Sequence, residues 1–79
     1  MVSKIEELVQ QFVSGADTSI RAANEIEVAL DDGLPEDEYV QETVEMLAMY
    51  RPGGGEFLFD TAAITERLIE TMKRLQKDA

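Results

Sequence analysis

The chain of 79 residues contains no cysteine, no histidine and no tryptophan. Without cysteine it can form neither a disulfide framework nor a thiol nucleophile, and without cysteine and histidine it lacks the usual ligands of zinc. It also lacks the side chain that most general acid–base catalysts use. In a chain too short for a deep catalytic cleft, these absences predict that the protein is not an enzyme and that it binds no metal or cofactor.

Long apolar runs and an excess of basic side chains are missing as well. The first residues lack the apolar segment of a secretory signal, and later apolar runs are only a few residues long, so we expect a cytoplasmic protein. The 7 basic side chains stand against 17 acidic ones. Because nucleic acids and anionic membranes are bound by clustered Lys and Arg, neither is an expected partner. A hydrophobic fraction of 44% nevertheless predicts a folded core.

The first half of the chain has the apolar periodicity of two amphipathic helices, over about residues 4–14 and 18–31. Gly15 is placed to end the first helix in a left-handed conformation, and Asp17 is placed to cap the second. The inward stripe of the second helix is rich in small residues and consists of Ala22, Ala23, Ile26, Ala29 and Leu30.

The second half predicts two more helices. The third should begin at Pro35, whose missing N–H costs nothing in a first turn, and should reach about Tyr50. Its predicted core face is Val40, Val44, Leu47 and Ala48, widened by Tyr39, Met46 and Tyr50. The fourth should follow a cap at Asp60, over about residues 61–77, with Ile64, Leu68, Met72 and Leu75 inward.

Between helices three and four lies a loop with three successive glycines, residues 53–55, followed by an apolar run, residues 57–59, expected to lie across the helices. No linker is long enough to separate two domains. The sequence therefore predicts one all-α domain over residues 1–79, a compact four-helix bundle with a glycine-rich loop between helices three and four.

The negative charge is concentrated in one span of the chain. Between Arg21 and Arg51 there is no basic residue, whereas the rest of the chain has nearly balanced charge. The span contains nine acidic residues: Glu25, Glu27, Asp31, Asp32, Glu36, Asp37, Glu38, Glu42 and Glu45. On a helical wheel, Glu38, Glu42 and Glu45 fall within about 60° of one another, opposite the apolar stripe of helix three.

Two interpretations of this span are open. The acidic residues can simply form a solvated face that keeps the protein soluble. Alternatively, they bind a basic protein partner, since a merely soluble surface would intersperse Lys among the Glu. In the second case the nine acids are the predicted partner-binding residues, and Tyr50 and Arg51 are a predicted secondary contact because aromatics and Arg often anchor interfaces.

Two chemical motifs fail on inspection of the residues. Asp31 and Glu42 have the spacing of the first and last positions of a calcium-binding EF-hand loop, but its sixth position is Glu36 instead of glycine. The glycine-rich loop lacks the Lys-Ser/Thr pair of a phosphate-binding P-loop, and no strand precedes it. Neither a calcium site nor a nucleotide site is therefore predicted.

Two family resemblances accompany the acidic pattern. The segment Leu8-Val9-Gln10-Gln11-Phe12-Val13-Ser14-Gly15, the acidic middle helices and the closing helix with Leu-x₃-Met-x₂-Leu resemble colicin D-type bacterial immunity proteins. That resemblance implies a helical inhibitor whose acids mimic the phosphates of a tRNA-like substrate in the basic active site of a nuclease toxin. Asp17-Thr18-Ser19 before an acidic helix also looks like the Asp-Ser-Leu site of acyl carrier proteins, which would make Ser19 a phosphopantetheine attachment point.

These observations predict a non-enzymatic, immunity- or antitoxin-like module that binds a basic partner, such as a nuclease toxin, through helices two and three. One alternative is a structural or assembly protein that forms homo-oligomers; its predicted interface is Tyr39, Met46, Tyr50, Phe57 and Phe59. The acyl-carrier-like function is a more distant alternative. The chain is expected to be a monomer or a homodimer.

Overall fold

The computed structural model describes the backbone of residues 2–77 and the side chains of residues 4–75. Four helices make up its regular secondary structure. They are α1 Val2–Val13, α2 Ile20–Gly33, α3 Glu38–Ala48 and α4 Thr61–Lys77. Helix α2 packs between α1 and α3, and α4 closes the arrangement by packing against both α3 and α1. The all-α four-helix bundle is therefore confirmed.

The core lies where the apolar stripes of the helices meet. The predicted inward residues of α2 and α4 are buried or packed against the core, and so is the apolar stripe of α1, which consists of Ile5, Leu8, Val9, Phe12 and Val13. Phe12, Leu30 and Leu68 are fully inaccessible, and Ile26 and Ile64 are 1% exposed. Burying each such side chain contributes about 1.5–3 kcal/mol, so these stripes supply most of the stabilisation of the bundle.

The starts of α2 and α3 differ from the sequence prediction. Ser19, not Asp17, is the N-cap of α2, with its hydroxyl oxygen accepting the Ala22 N–H at 3.1 Å. Helix α3 begins at Glu38 instead of the predicted Pro35, and Asp37 is its N-cap, with a carboxylate that accepts the Val40 N–H at 3.1 Å. Pro35 has no side-chain acceptor for the free N–H groups of a first turn, whereas the Asp37 carboxylate satisfies one.

The inward face of α3 is more polar than predicted. Ala48 is exposed, which corrects the prediction that it belongs to the core. Thr43 lies in the core instead, and on α4 Thr71 does too; each residue is 1% exposed. The contact between α3 and α4 therefore includes polar side chains that apolar periodicity alone did not identify.

The loop between α3 and α4 turns back along the end of α3. The Arg51 N–H donates to the Phe59 carbonyl at 2.9 Å, and the Phe59 N–H donates to the Met49 carbonyl at 3.0 Å. Only Phe59 of the apolar run packs against the core; Phe57 is 86% exposed, which corrects the prediction that the whole run lies across the helices. The predicted Asp60 cap is confirmed, since its carboxylate accepts the Ala63 N–H at 2.9 Å.

Among residues 2–77, every helix is too short or too polar to traverse the hydrocarbon core of a membrane.

Candidate protein-binding surface

The nine acidic residues of the span between Arg21 and Arg51 all reach the surface. Seven are exposed, and Glu27 and Asp37 are partly buried. Within residues 4–75, Glu25 is the one member of the set that forms an ion pair, with Arg21 at 3.5 Å. The other members are not neutralised by a described basic side chain, so their charges remain available to a partner.

Four of these acids share one shallow groove on α3 and the turn before it. The groove has a volume of about 340 Å³ and is lined by Pro35, Glu36, Glu38, Gln41, Glu42 and Glu45. Among residues 4–75, no basic side chain lines it. We call Glu36, Glu38, Glu42 and Glu45 the acidic face; it lies on the side of α3 opposite the buried Val40, Thr43 and Leu47.

The other five acids lie elsewhere. Glu25, Asp32 and Asp37 line a second groove between α1 and α2, and Asp37 also accepts the cap hydrogen bond of α3. Glu27 and Asp31 line neither groove. Four of the nine predicted residues thus share one groove, three line the other and two line neither. The acidic face is the part in which the carboxylates stand together without a described basic neighbour.

Asp31 and Asp32 occupy the last turn of α2, which contains no basic residue. Negative charge is unfavourable there, because the free carbonyls at the end of a helix already carry partial negative charge. Asp31 and Asp32 therefore do not stabilise the end of α2 through the helix dipole.

Helix α3 is held in place by a polar network that the sequence did not predict. The hydroxyl oxygens of Thr43 and Thr71 lie 3.0 Å apart, and the Arg67 Nε donates to the Thr43 hydroxyl at 2.8 Å. The other end of the Arg67 guanidinium donates to the Tyr39 carbonyl at 2.9 Å. These bonds fix α3 against α4 and so fix the direction in which the acidic face points.

The Tyr39 ring adds to this network. The Arg67 and Arg74 guanidinium carbons lie 3.7 and 4.2 Å from the ring centroid, within the range of cation–π interactions. Arg67 and Arg74 are seven residues apart and border the apolar stripe of α4. That spacing is the signal in the sequence that could have placed both on the side of α4 that faces α3.

The predicted secondary contact is only partly at the surface. Arg51 is exposed, but Tyr50 is 5% exposed, with its ring 5.3 Å from that of Phe12. The Tyr50 hydroxyl donates to the Thr18 carbonyl at 2.6 Å and lies 2.8 Å from the Thr61 hydroxyl. Tyr50 is therefore a core residue, since its ring fills space beside Phe12 and its hydroxyl ties two helix starts together.

The apolar set predicted for homo-oligomers does not form a surface either. Tyr50 is buried, and Tyr39, Met46 and Phe59 are partly buried within the fold. Of that set only Phe57 is exposed, because the loop turns its ring outward. An interface between copies would need other residues.

Ser19 and Asp17 form a local turn at the start of α2. The Asp17 carboxylate accepts the Ser19 N–H at 3.2 Å, and hydrogen bonding by the Ser19 hydroxyl and N–H holds the pKa of Asp17 below its usual value. Ser19 is exposed and already acts as the helix cap. The acyl-carrier-like alternative stays a prediction, which the intact mass after co-expression with a phosphopantetheinyl transferase would test.

Among the residues that the structure describes, no three acidic side chains are placed together to hold a metal ion. The acidic face is therefore an array of negative charges on α3 and the turn before it, without the ligand geometry of a metal site.

No protein-family model matches the sequence, and neither the curated proteins nor the solved structures contain a match to it.

Proposed function

We propose that this chain is a non-catalytic protein-binding module that neutralises a basic partner, such as a nuclease toxin, through the acidic face of α3. The observation that carries the proposal is the groove lined by Glu36, Glu38, Glu42 and Glu45 without any basic side chain. A surface of one charge sign attracts an opposite surface over several ångströms and speeds the encounter with it.

Rigidity of the acidic face supports a binding role. Asp37 caps α3 at its start, and the Gln41 side-chain amide donates to the Leu34 carbonyl at 3.3 Å, which holds the preceding turn. The Arg67 network anchors the opposite side of the helix. Carboxylates held on a fixed element lose less conformational entropy on binding than carboxylates on a loop.

The charge sign favours a nuclease as the partner class. A nuclease binds a phosphate backbone with Lys and Arg, and spaced carboxylates can occupy the same basic side chains. Replacing those phosphates would block substrate binding without any chemistry by the inhibitor. The inhibitory role also fits the absence of cysteine and histidine from the chain.

The test measures binding to purified colicin D-type tRNase domains and to the protein encoded by the neighbouring reading frame, together with inhibition of tRNA cleavage. Affinity should fall steeply as salt rises, since exposed charges are screened. The variant Glu38→Gln/Glu42→Gln/Glu45→Gln should weaken binding by about tenfold or more and flatten the salt dependence.

A matched control removes three acids elsewhere: Glu7→Gln/Glu56→Gln/Glu66→Gln, all exposed and outside the acidic face. It has the same net charge as the first variant. Equal weakening by both variants would show that only total charge matters. Binding indifferent to salt and to the acidic-face variant would refute the proposal.

A further inference from the structure

The groove between α1 and α2 differs from the acidic face in both size and chemistry. It has a volume of about 1160 Å³, and its apolar lining is Ile5, Leu8, Val28, Ala29, Leu34 and Leu75. Val28 is 66% exposed at the edge of the groove. Val28 extends the apolar lining of the groove to its open edge, so the groove offers apolar surface that a second protein can cover.

The charged side chains around this groove carry both signs. Lys4 and Arg21 line it together with Glu25, Asp32 and Asp37. A partner as basic as the one proposed for the acidic face would meet two like charges here. A partner that carries both charge signs can instead place an acidic side chain opposite Lys4 or Arg21 and a basic one opposite the carboxylates.

The two charge signs also recur at both ends of the groove. A methyl group added at Gly33 would lie 3.6 Å from the Ile5 side chain, which places the start of α1 beside the end of α2. Lys4 and Asp32 are therefore near one end, and Arg21 and Glu25 are near the other. Arg21 and Glu25 pair with each other across only 3.5 Å, with side chains 90% and 51% exposed, so both can exchange partners.

We propose that a second copy of this chain covers the α1/α2 groove in a two-fold symmetric dimer. A two-fold axis that lies in the plane of the contact and crosses the middle of α2 exchanges the ends of this helix, so that Arg21 faces Asp32 of the second copy. Symmetric dimers require such a self-complementary surface. In a chain with a net charge of −10, this nearly balanced face also opposes self-association less than the wholly acidic face does.

Analytical ultracentrifugation of the full chain over a wide concentration range, at moderate salt, tests the proposal. We expect a reversible monomer–dimer equilibrium. Val28→Glu should raise the dimer dissociation constant about tenfold or more, because it buries two like charges at the contact. Ile69→Glu is the matched control: Ile69 is 39% exposed on α4, outside the groove, and the charge change is identical.

A charge-exchange series makes the test specific. Arg21→Glu alone and Asp32→Arg alone should each weaken the dimer, whereas Arg21→Glu/Asp32→Arg in one chain should restore it, because the exchanged charges again face each other across the axis. Circular dichroism on each variant confirms folding. A strict monomer at every concentration would overturn the proposal, as would a dimer that Ile69→Glu weakens and Val28→Glu does not.

Discussion

The two helix pairs of the bundle are held together by different chemistry. The inward residues of α1 and α2 are apolar, from Val9 and Phe12 to Ala23 and Leu30. Between α3 and α4, by contrast, Thr43 and Thr71 are buried and hydrogen-bonded, and Arg67 joins them from the edge. Apolar contacts depend little on direction, whereas hydrogen bonds fix rotation and register. The polar contact therefore determines where the acidic face points.

The largest effect should come from the apolar contacts. Leu30 is fully buried on α2, so Leu30→Ala removes its transfer free energy and leaves a cavity. We expect the free energy of unfolding to fall by about 2–5 kcal/mol, a large part of the total for so small a domain. Urea titration followed by circular dichroism measures the change.

Val28→Ala, on the same helix, is the control for this substitution. Because Val28 is 66% exposed in the monomer, its truncation should change stability by no more than about 0.5 kcal/mol at protein concentrations too low for the proposed dimer to form. Similar losses from the two variants would contradict the assignment of Leu30 to the core and Val28 to the surface.

The next effect tests the polar contact between α3 and α4. Thr43→Val keeps the shape of the side chain but removes the acceptor of the Arg67 Nε–H and the neighbour of the Thr71 hydroxyl. Stability should fall by about 1–3 kcal/mol, since partly buried polar groups lose their partners.

A double-mutant cycle with Thr71→Val isolates the pair. The combined loss should be smaller than the sum of the single losses by about 0.5–1.5 kcal/mol, because each single variant already removes the contact between the Thr43 and Thr71 hydroxyls. Strict additivity, measured by the same urea titrations, would mean that the two hydroxyls do not interact.

This contrast also explains what could be predicted from the sequence. The apolar stripes of α1, α2 and α4 followed from helical periodicity, because burial of an aliphatic side chain depends mainly on its own chemistry. Thr43 was missed and Ala48 was wrongly placed in the core, since burial of a hydroxyl depends on a partner from another helix. Thr43 lies three residues after Val40 and four before Leu47, which is the periodic position of a core residue.

The candidate site was predictable to a similar extent. Exposure of the acids followed from their positions on the predicted helices. Their distribution, with four acids in one groove, three in another and two in neither, did not follow, because it depends on the rotation of α2 and on where α3 begins. With α3 capped by Asp37, Glu36 precedes the helix and yet shares a groove with Glu38, Glu42 and Glu45.

A smaller change in stability is expected when alanine replaces either of two glycines, Gly33 at the end of α2 or Gly15 after α1. Gly33 is the last residue of α2, its φ is not positive, and an added methyl group would contact Ile5 at an ordinary 3.6 Å. Gly33→Ala should therefore raise stability by about 0.4–1 kcal/mol, since it reduces the entropy of the unfolded chain.

Gly15→Ala should lower stability, in contrast to Gly33→Ala. Gly15 has a φ of 87°, with open space around it, so the cost is purely that of a left-handed backbone, about 1–2 kcal/mol at most. Thermal unfolding of the two variants shows whether each one raises or lowers the melting temperature. A stabilising Gly15→Ala would show that the turn after α1 does not need the left-handed conformation.

The smallest expected changes in stability come from neutralising one carboxylate on the acidic face or one at the α1/α2 groove. Glu42 lies one turn from both Glu38 and Glu45, so Glu42→Gln should stabilise the fold by about 0.2–0.5 kcal/mol through loss of like-charge repulsion. Glu25→Gln should destabilise it by a similar amount, because Glu25 pairs with Arg21. Both variants remove one negative charge, so a difference in sign cannot come from net charge.

High salt should bring the melting temperatures of the two variants together, since both effects act between exposed charges. If both variants stabilise the protein equally in low salt, overall repulsion outweighs local pairing, and the distinction between an uncompensated α3 face and a balanced α1/α2 groove fails.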